Sequence, residues 1–388
     1  MAKNRTWGVA VCPGDGIGPE VMAPTVAALQ KVAAKEGLEL RLQHYDWPAH
    51  AWHRDHGEMM PADWRAQLAE HDAILLGALG DPGPSSDPDR HLLPDGVSLA
   101  PLLALRKGFD LWACERPAVR LPGTPQYLAD PRAEGLDMLV IRENSEGEYV
   151  AQGGRLAPGT AREVATQVEV FTRLGTERII RHAFERASAR AQARQAGERP
   201  PRTFPLPGGG EAAAQVCAIT KRNAQAHWGE MWTEIFAEVA GDYPHIATHH
   251  ELVDAACMKF VTRPWEFDVV VASNLHGDIL TDLAAVLCGG MGVAPSCNIN
   301  PLDRSVPPLF EPTHGSAPDI AGQGLAGPEA MLLTAAMMLD WMGEEDPAAA
   351  RAGERLRLAV AADLQERDGE ASGTRAVGDA VLARLDQL

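Results

Sequence analysis

The chain has 388 residues and a formal net charge of −18, with 53 Asp and Glu against 35 Lys and Arg. At roughly 100–200 residues per domain, that length predicts two or three compact units, and 45% hydrophobic with 23% charged residues excludes disorder of the chain as a whole. So negative a protein repels phosphate backbones and anionic headgroups, which argues against nucleic-acid or membrane binding and leaves local basic pockets for small anions. The six cysteines are scattered without a CxxC pair, and no signal-peptide pattern opens the sequence. Reduced thiols and a cytoplasmic location are expected.

Taken in order, Trp7–Cys12 reads as a buried strand and Pro19–Lys35 as a helix. Leu38, Leu40 and Leu42 alternate with polar residues as a second strand, and Ala73–Ala78 is a third. Gly80–Gly96 is rich in Pro and Gly and reads as a long loop. Helix Leu99–Lys107, strand Leu111–Arg116 and strand Leu136–Ile141 follow. Val164, Thr166, Val168 and Val170 alternate strictly, predicting a half-buried antiparallel strand. A helix over Arg173–Arg194 gives way to an exposed loop at Glu198–Gly210, tolerant of length change. Then come strand Gln215–Thr220, helices Asn223–Ala240 and Val253–Val261, strand Phe267–Ala272 and helix Asp278–Leu287. Gly289–Asp319 looks irregular, and three helical segments close the chain. Alternating strands and helices predict an α/β sheet, with the antiparallel middle forming a second domain inserted into the first.

Pro13-Gly-Asp-Gly-Ile-Gly-Pro-Glu20 lies between a strand and a helix but misses the dinucleotide fingerprint, because Pro19 stands where the third glycine is needed. A tight turn is the favoured reading over direct pyrophosphate binding. Asp278 and Asp282 are four apart, which on a helix puts both carboxylates on one face. A helix N-terminus that favours acids would explain them; apolar flanks on both sides favour a hard divalent cation between them, Mg²⁺ or Mn²⁺. Asp254, also in apolar surroundings, is a candidate third acid. Arg106, Arg116 and Arg142 each follow an apolar element. They are either solvated end charges or an anion pocket whose forks match the carboxylates of a di-acid. Glu311–Gly322 is a glycine-punctuated loop with a His and an acid, a composition that can cradle a nucleotide.

Together these motifs resemble the metal-dependent β-decarboxylating dehydrogenases of 2-hydroxy di-acids, the group of isocitrate, isopropylmalate, homoisocitrate and tartrate/D-malate enzymes. The resemblance rests on Gly14–Glu20, Arg142-Glu-Asn-Ser-Glu-Gly-Glu-Tyr149, Thr220-Lys221, Asn274–Asp282 and Glu311–Asp319, and spans Gly8 to about Gly343. It implies an isopropylmalate dehydrogenase-like α/β fold with a parallel-rich sheet, not a Rossmann fold. Residues 1–111 and 289–388 would form the large domain and 112–288 the smaller, dimer-forming one, with the active site in the cleft between them. By this resemblance Arg106, Arg116 and Arg142 grip the substrate, and Tyr149 and Lys221 are the proton-transfer pair. Asp278 and Asp282 bind metal, and in the implied homodimer Asp254 and Lys221 are donated across the interface. His314, Gly315, Ser316, Ala317, Asp319 and Ile320 wrap the adenosine half of NAD, and Asn223 lies near the nicotinamide. K⁺ is a further candidate cofactor.

The residues before Arg106 depart from several branches. Isopropylmalate enzymes place Glu where Leu99 stands, and isocitrate enzymes place Ser and Asn where Ala100 and Leu102 stand. The Asp-x-Val-Ser-Leu wording and the Arg142–Tyr149 block look most like the tartrate/D-malate branch, although this stretch is one residue short of that pattern. Gly327 stands where the family often has Asn. The alternative is 3-isopropylmalate oxidation, for which Leu99, Leu102 and Leu103 would form an apolar wall. A non-catalytic regulatory subunit is disfavoured because Tyr149, Lys221, Asp254, Asp278 and Asp282 are all present.

Overall fold

The computed structural model describes residues 5–88, 90–367 and 372–388. The chain divides into two compact units, Met1–Leu111 with Val119–Glu134 and Ala285–Leu388, and Trp112–Ala118 with Gly135–Ala284. Residues 119–134 and 285–288 thus fall in the first unit, where the sequence assigns them to the insertion. The reason is local packing. Thr124 Oγ1 donates to the Cys288 carbonyl at 3.3 Å, and Gly123, at φ +81°, lies so close to the Leu364 backbone that a Cβ there would meet its carbonyl oxygen at 1.9 Å.

In the first unit the strands lie in the order Cys297–Ile299, Leu309–Phe310, Ala73–Ala78, Thr6–Gly14, Glu39–His44. The pairings are parallel except the first. Thr6–Gly14 is flanked by strands on both sides and covered by helix Gly18–Glu36, so Trp7 through Cys12 form one continuous buried run. Glu39–His44 is an edge strand, and its alternating partial burial follows. Helices Glu329–Gly343, Pro347–Arg367 and Thr374–Gln387 complete this unit, the first of them almost wholly buried.

The second unit orders its strands Ala247–Leu252, Gln215–Thr220, Val269–Ala272, Asp137–Glu143, Ala113–Val119. The pairings from Ala247–Leu252 through Asp137–Glu143 are parallel. Gln215–Thr220 and Val269–Ala272 are buried throughout. The strand Ala247–Leu252, Ala-Thr-His-His-Glu-Leu, carries no apolar signal in the sequence because it is an edge, where polar side chains are tolerated. The pairs Cys297–Ile299 and Leu309–Phe310 are too short to show a period. The antiparallel strand expected near Val164 is present as Val164–Gln167 paired with Gly153–Leu156. It is not half-buried: every residue of both strands is exposed, Leu156 at 71% and Val164 at 51%. All six cysteines are free, and among the described residues no helix is long and apolar enough to cross a membrane.

A buried ion pair lies inside the second unit. Glu115, on Ala113–Val119, accepts from His182 Nε2 at 2.8 Å and lies 3.1 Å from Arg186 Nε. Burial pushes the Glu115 carboxyl up, but the Arg186 charge and the His182 bond outweigh it and bring it down to about 2. Burial lowers the His182 imidazole, and the Glu115 bond with the nearby Glu185 carboxylate reverses that, leaving it raised. The contribution of Glu115 is present above its ordinary value of 4.5 and lost as pH falls toward 2. That of His182 is present below 6.5 and lost as pH rises through its raised value. His182→Gln should therefore cost about 1.5–3 kcal/mol at mildly acidic pH. It should also flatten the decline in urea-measured stability above about pH 7; a profile parallel to wild type would refute this assignment.

Candidate active site

The apolar strand Val269–Ala272 ends in the fully buried Ser273, and helix Asn274–Leu287 begins at once. The helix starts four residues before the predicted Asp278. Asp278 is therefore its fifth residue and Asp282 lies one turn further on, beyond the first turn where the helix dipole favours acids. The dipole explanation of this pair fails on that count.

Cations meet the pair instead. Arg142 lies beside Ala272 in the register of the parallel strands, so it leaves the sheet at the edge where the helix begins. Its Nη1 donates to Asp278 Oδ1, and its Nε and Nη2 donate to Asn274 Oδ1 at 3.1 and 2.7 Å. Arg116, on Ala113–Val119, donates to Thr281 Oγ1 at 2.7 Å and lies 3.4 Å from Asp278 and 3.9 Å from Asp282. The Tyr149 hydroxyl donates to Asp278 Oδ2 at 2.8 Å, its ring 5.3 Å from the Arg142 guanidinium. Burial pushes the Asp282 carboxyl up, and the neighbouring Asp278 charge adds to this against the pull of Arg116 and Arg142. Asn274 and Thr281 have no assigned role in the sequence reading, although their i, i+4 and i, i+3 spacing to Asp278 places them on its face.

Lys221 Nζ lies 2.8 Å from Asp254 Oδ1, and that bond holds the Asp254 carboxyl below its usual range. Asn223 sits in the turn between Thr220 and helix Ala226–Gly241, two residues beyond Lys221. Among the described residues no three His, Cys, Asp or Glu side chains gather as a ligand set; Asp254 does not join Asp278 and Asp282 within one chain. The pair does fit a hard cation as far as it goes: two carboxylates one turn apart on one face, open to further oxygen ligands.

The remaining candidates belong to the first unit. Arg106, buried on helix Ala100–Gly108, donates to Glu311 Oε1 at 2.8 Å, and Asn298 Nδ2 donates to the same oxygen at 2.8 Å. Glu311 is a partner the sequence reading missed; the one signal was an acid directly after the buried Leu309-Phe310. The 314–324 loop is held by the Gly14–Glu20 motif. Ile17 N donates to the Ser316 carbonyl at 2.9 Å, and the Glu20 carboxylate accepts from the amides of Gly322 and, at 2.8 Å, Gly324. His314 Nδ1 bonds the Gly315 carbonyl at 3.0 Å, burial lowers its imidazole pKa, and its buried Nε2 has no protein partner. A neutral ring with its proton on Nδ1 leaves Nε2 as an acceptor, which fits an amine donor such as that of adenine. Ala317 is left-handed at φ 41°, and Asp319 is exposed beyond it.

The sequence profile of the isocitrate/isopropylmalate dehydrogenase family matches residues 8–196 and 209–381. The chain belongs to this family. Family members are decarboxylating dehydrogenases, generally using NAD(P) and a divalent metal such as Mg²⁺ or Mn²⁺. They are typically homodimers acting on small di-acids. The break in the match, 197–208, overlaps the stretch 198–210 expected to be an exposed loop, although Phe204 within it is buried and paired with Ala212. The chain is 44% identical over 384 residues to a 3-isopropylmalate dehydrogenase of Thermobifida fusca, covering 98% of each chain. It is 40% identical over 379 residues to a probable tartrate dehydrogenase/decarboxylase of Agrobacterium vitis, covering 97% of each. With the decarboxylating D-malate dehydrogenase of Escherichia coli the identity is 41%, over 88% of this chain and 87% of that one. The crystal structure of isocitrate dehydrogenase from Methylococcus capsulatus superposes with a TM-score of 0.76 at 30% identity, covering 98% and 99%.

Within the family frame, the Gly14–Glu20 motif is a scaffold for the 314–324 loop. Gly327 has a local account too: a Cβ there would lie 2.4 Å from Glu329 Oε2, so the glycine leaves room for the buried Glu329, which pairs with Arg367. Gly16, at φ +56°, approaches so closely that a Cβ would meet the Ser316 carbonyl oxygen at 2.1 Å. Gly16→Ala should cost about 1–3 kcal/mol, read as a lower urea midpoint at unchanged m. An unchanged midpoint would show that the loop does not press on this turn.

Proposed function

We propose that the protein oxidises a 2-hydroxy di-acid such as tartrate or D-malate, with β-decarboxylation, using NAD⁺ and Mg²⁺ or Mn²⁺. The observation that carries this reading is the convergence of Arg116, Arg142 and Tyr149 on Asp278, one helical turn from Asp282. A divalent cation at Asp278 and Asp282, completed by Asp254 of a second copy of the chain, would acidify the substrate hydroxyl and stabilise negative charge formed as CO₂ leaves. Arg106, Arg116 and Arg142 grip the substrate carboxylates and orient the C2–H bond. Lys221 of that same second copy, in its neutral form once Asp254 turns to the cation, would take the hydroxyl proton, and the Tyr149 hydroxyl would return a proton to the enol carbon. The loop from His314 to Ile320 receives the adenosine half of NAD, and Asn223 lies toward the nicotinamide. The exposed hairpin of 153–156 and 164–167 supports a homodimer, since its apolar Leu156 and Val164 are otherwise left in water. A cytoplasmic setting suits the six free thiols.

A second reading, 3-isopropylmalate oxidation, draws on the exposed side chains of Val97, Leu99 and Leu103 just before Arg106, an apolar surface able to receive a branched alkyl group. Nicotinamide reduction with D-malate, L- and meso-tartrate, 3-isopropylmalate and isocitrate, each with Mn²⁺ and with or without K⁺, separates the two. Turnover of D-malate or tartrate is expected, abolished in Asp278→Asn with the fold intact; exclusive turnover of 3-isopropylmalate moves the assignment to the second reading. Full activity of Asp278→Asn, or of wild type after exhaustive chelation, removes the metal role.

Cofactor choice follows from Asp319. A carboxylate accepts from the ribose hydroxyls of NAD, whereas a 2′-phosphate brings about −2 charge that the acid repels. Asp319→Lys should raise KM for NAD and lower it for NADP. Equal kcat/KM of the wild type with both dinucleotides would contradict the NAD assignment.

A further inference from the structure

The segment Arg142–Tyr149 wraps the start of helix Asn274–Leu287. Arg142 holds the Asn274 side-chain oxygen, and Asn274 Nδ2 donates to the Glu146 carbonyl at 3.2 Å. Glu148 completes the wrap: its Oε1 accepts from Ser273 Oγ at 2.7 Å and its Oε2 from Leu275 N at 3.1 Å. We propose that Glu148 is a positioning residue for the reaction, tying Tyr149 and the Asp278–Asp282 pair into one frame. The proposal rests on the roles given above to those three residues.

Leu275 N is one of the first helix amides, which have no acceptor inside the helix, and a carboxylate there lies at the positive end of the helix dipole. Ser273 is fully buried at the end of the buried strand Val269–Ala272, so it is a fixed anchor. From that anchor the helix alone carries Asp278 and Asp282. On the other side a single peptide bond joins Glu148 to Tyr149, whose hydroxyl reaches back to Asp278. Beside the Asn274 bonds, Glu148 and Tyr149 each tie the segment to the helix, Tyr149 through Asp278 itself. An Asp278 that turns its oxygens toward a cation weakens its bond with Tyr149, and the tie through Glu148 then keeps the tyrosine beside the helix.

Glu148→Ala and Glu148→Gln test this, with Mn²⁺ binding measured by calorimetry without substrate, alongside kcat and the KM for NAD. Loss of an orienting partner behind a metal ligand or acid typically costs about 10–100-fold, so Glu148→Ala should lose that much in kcat and in Mn²⁺ affinity, with KM for NAD unchanged. Glu148→Gln, which can still accept from Leu275 N and donate to Ser273 Oγ, should recover most of both. A folded Glu148→Ala protein with wild-type kcat and Mn²⁺ affinity, or a Gln variant as impaired as the Ala one, overturns the inference. If Glu148→Ala does not fold, Ser273→Ala serves: it removes one of the two partners and should lower kcat, and wild-type kcat in it overturns the inference equally. A wild-type protein that neither binds Mn²⁺ nor turns over any of the five acids overturns the reading of the site itself.

Discussion

Two carboxylates one turn apart on a helix repel each other, and in the second unit that repulsion is met by guanidiniums delivered from neighbouring elements of the same sheet. Arg142 can reach Asp278 only because the strand before the helix, Val269–Ala272, pairs in parallel with Asp137–Glu143 and ends level with it. Arg116 arrives from the next strand in the order and donates to Thr281 at 2.7 Å, with its charge shared between the two acids. Both arginines are themselves buried, so their cost of desolvation is offset by carboxylates and amide oxygens placed within hydrogen-bond reach.

The acidity of the segment before Tyr149 has a different cause. Glu143 folds back on the amides of Ser145 and Glu146, Glu146 accepts from the Thr172 amide and hydroxyl at the start of helix Arg173–Gln195, and Glu148 does the corresponding work at helix Asn274–Leu287. Two helix N-termini converge on one stretch of chain, and acids are the side chains that satisfy their amides and their dipoles together.

In the first unit a motif that looks like a ligand cradle turns out to carry structure. Asp15 is buried and bonded to the His50 backbone and ring, at 2.7 and 2.9 Å, Glu20 clamps the amides of Gly322 and Gly324, and Gly16 makes room for Ser316. The glycines serve the approach of protein to protein. What they support, the loop from His314 to Asp319, is where an unpartnered acceptor and an exposed acid stand ready for a ligand.

Apolar periodicity was enough to locate the interior strands and the long helices, because burial on both faces writes itself as an unbroken apolar run and burial on one face as a helical repeat. Motif resemblance named the arginines, the acids and the loop. Periodicity was silent where burial is not the cause of structure: the edge strand Ala247–Leu252 is polar, and the pairs at Cys297 and Leu309 are too short. Near Val164 it found the antiparallel strand but misjudged its burial, since the hairpin is exposed. It also misjudged the start of the helix bearing Asp278, since the first turn, Asn274-Leu-His-Gly, owes its place to Glu148, Glu146 and Arg142 from more than a hundred residues away. The amino-acid sequence by itself determined the α/β class, the family and the identity of the charged residues, all of which depend on local pattern. Which charge faces which was decided only by the tertiary structure, because parallel strands bring residues distant in the chain to one edge of a sheet, and a pairing across such a distance leaves no period in the sequence to read.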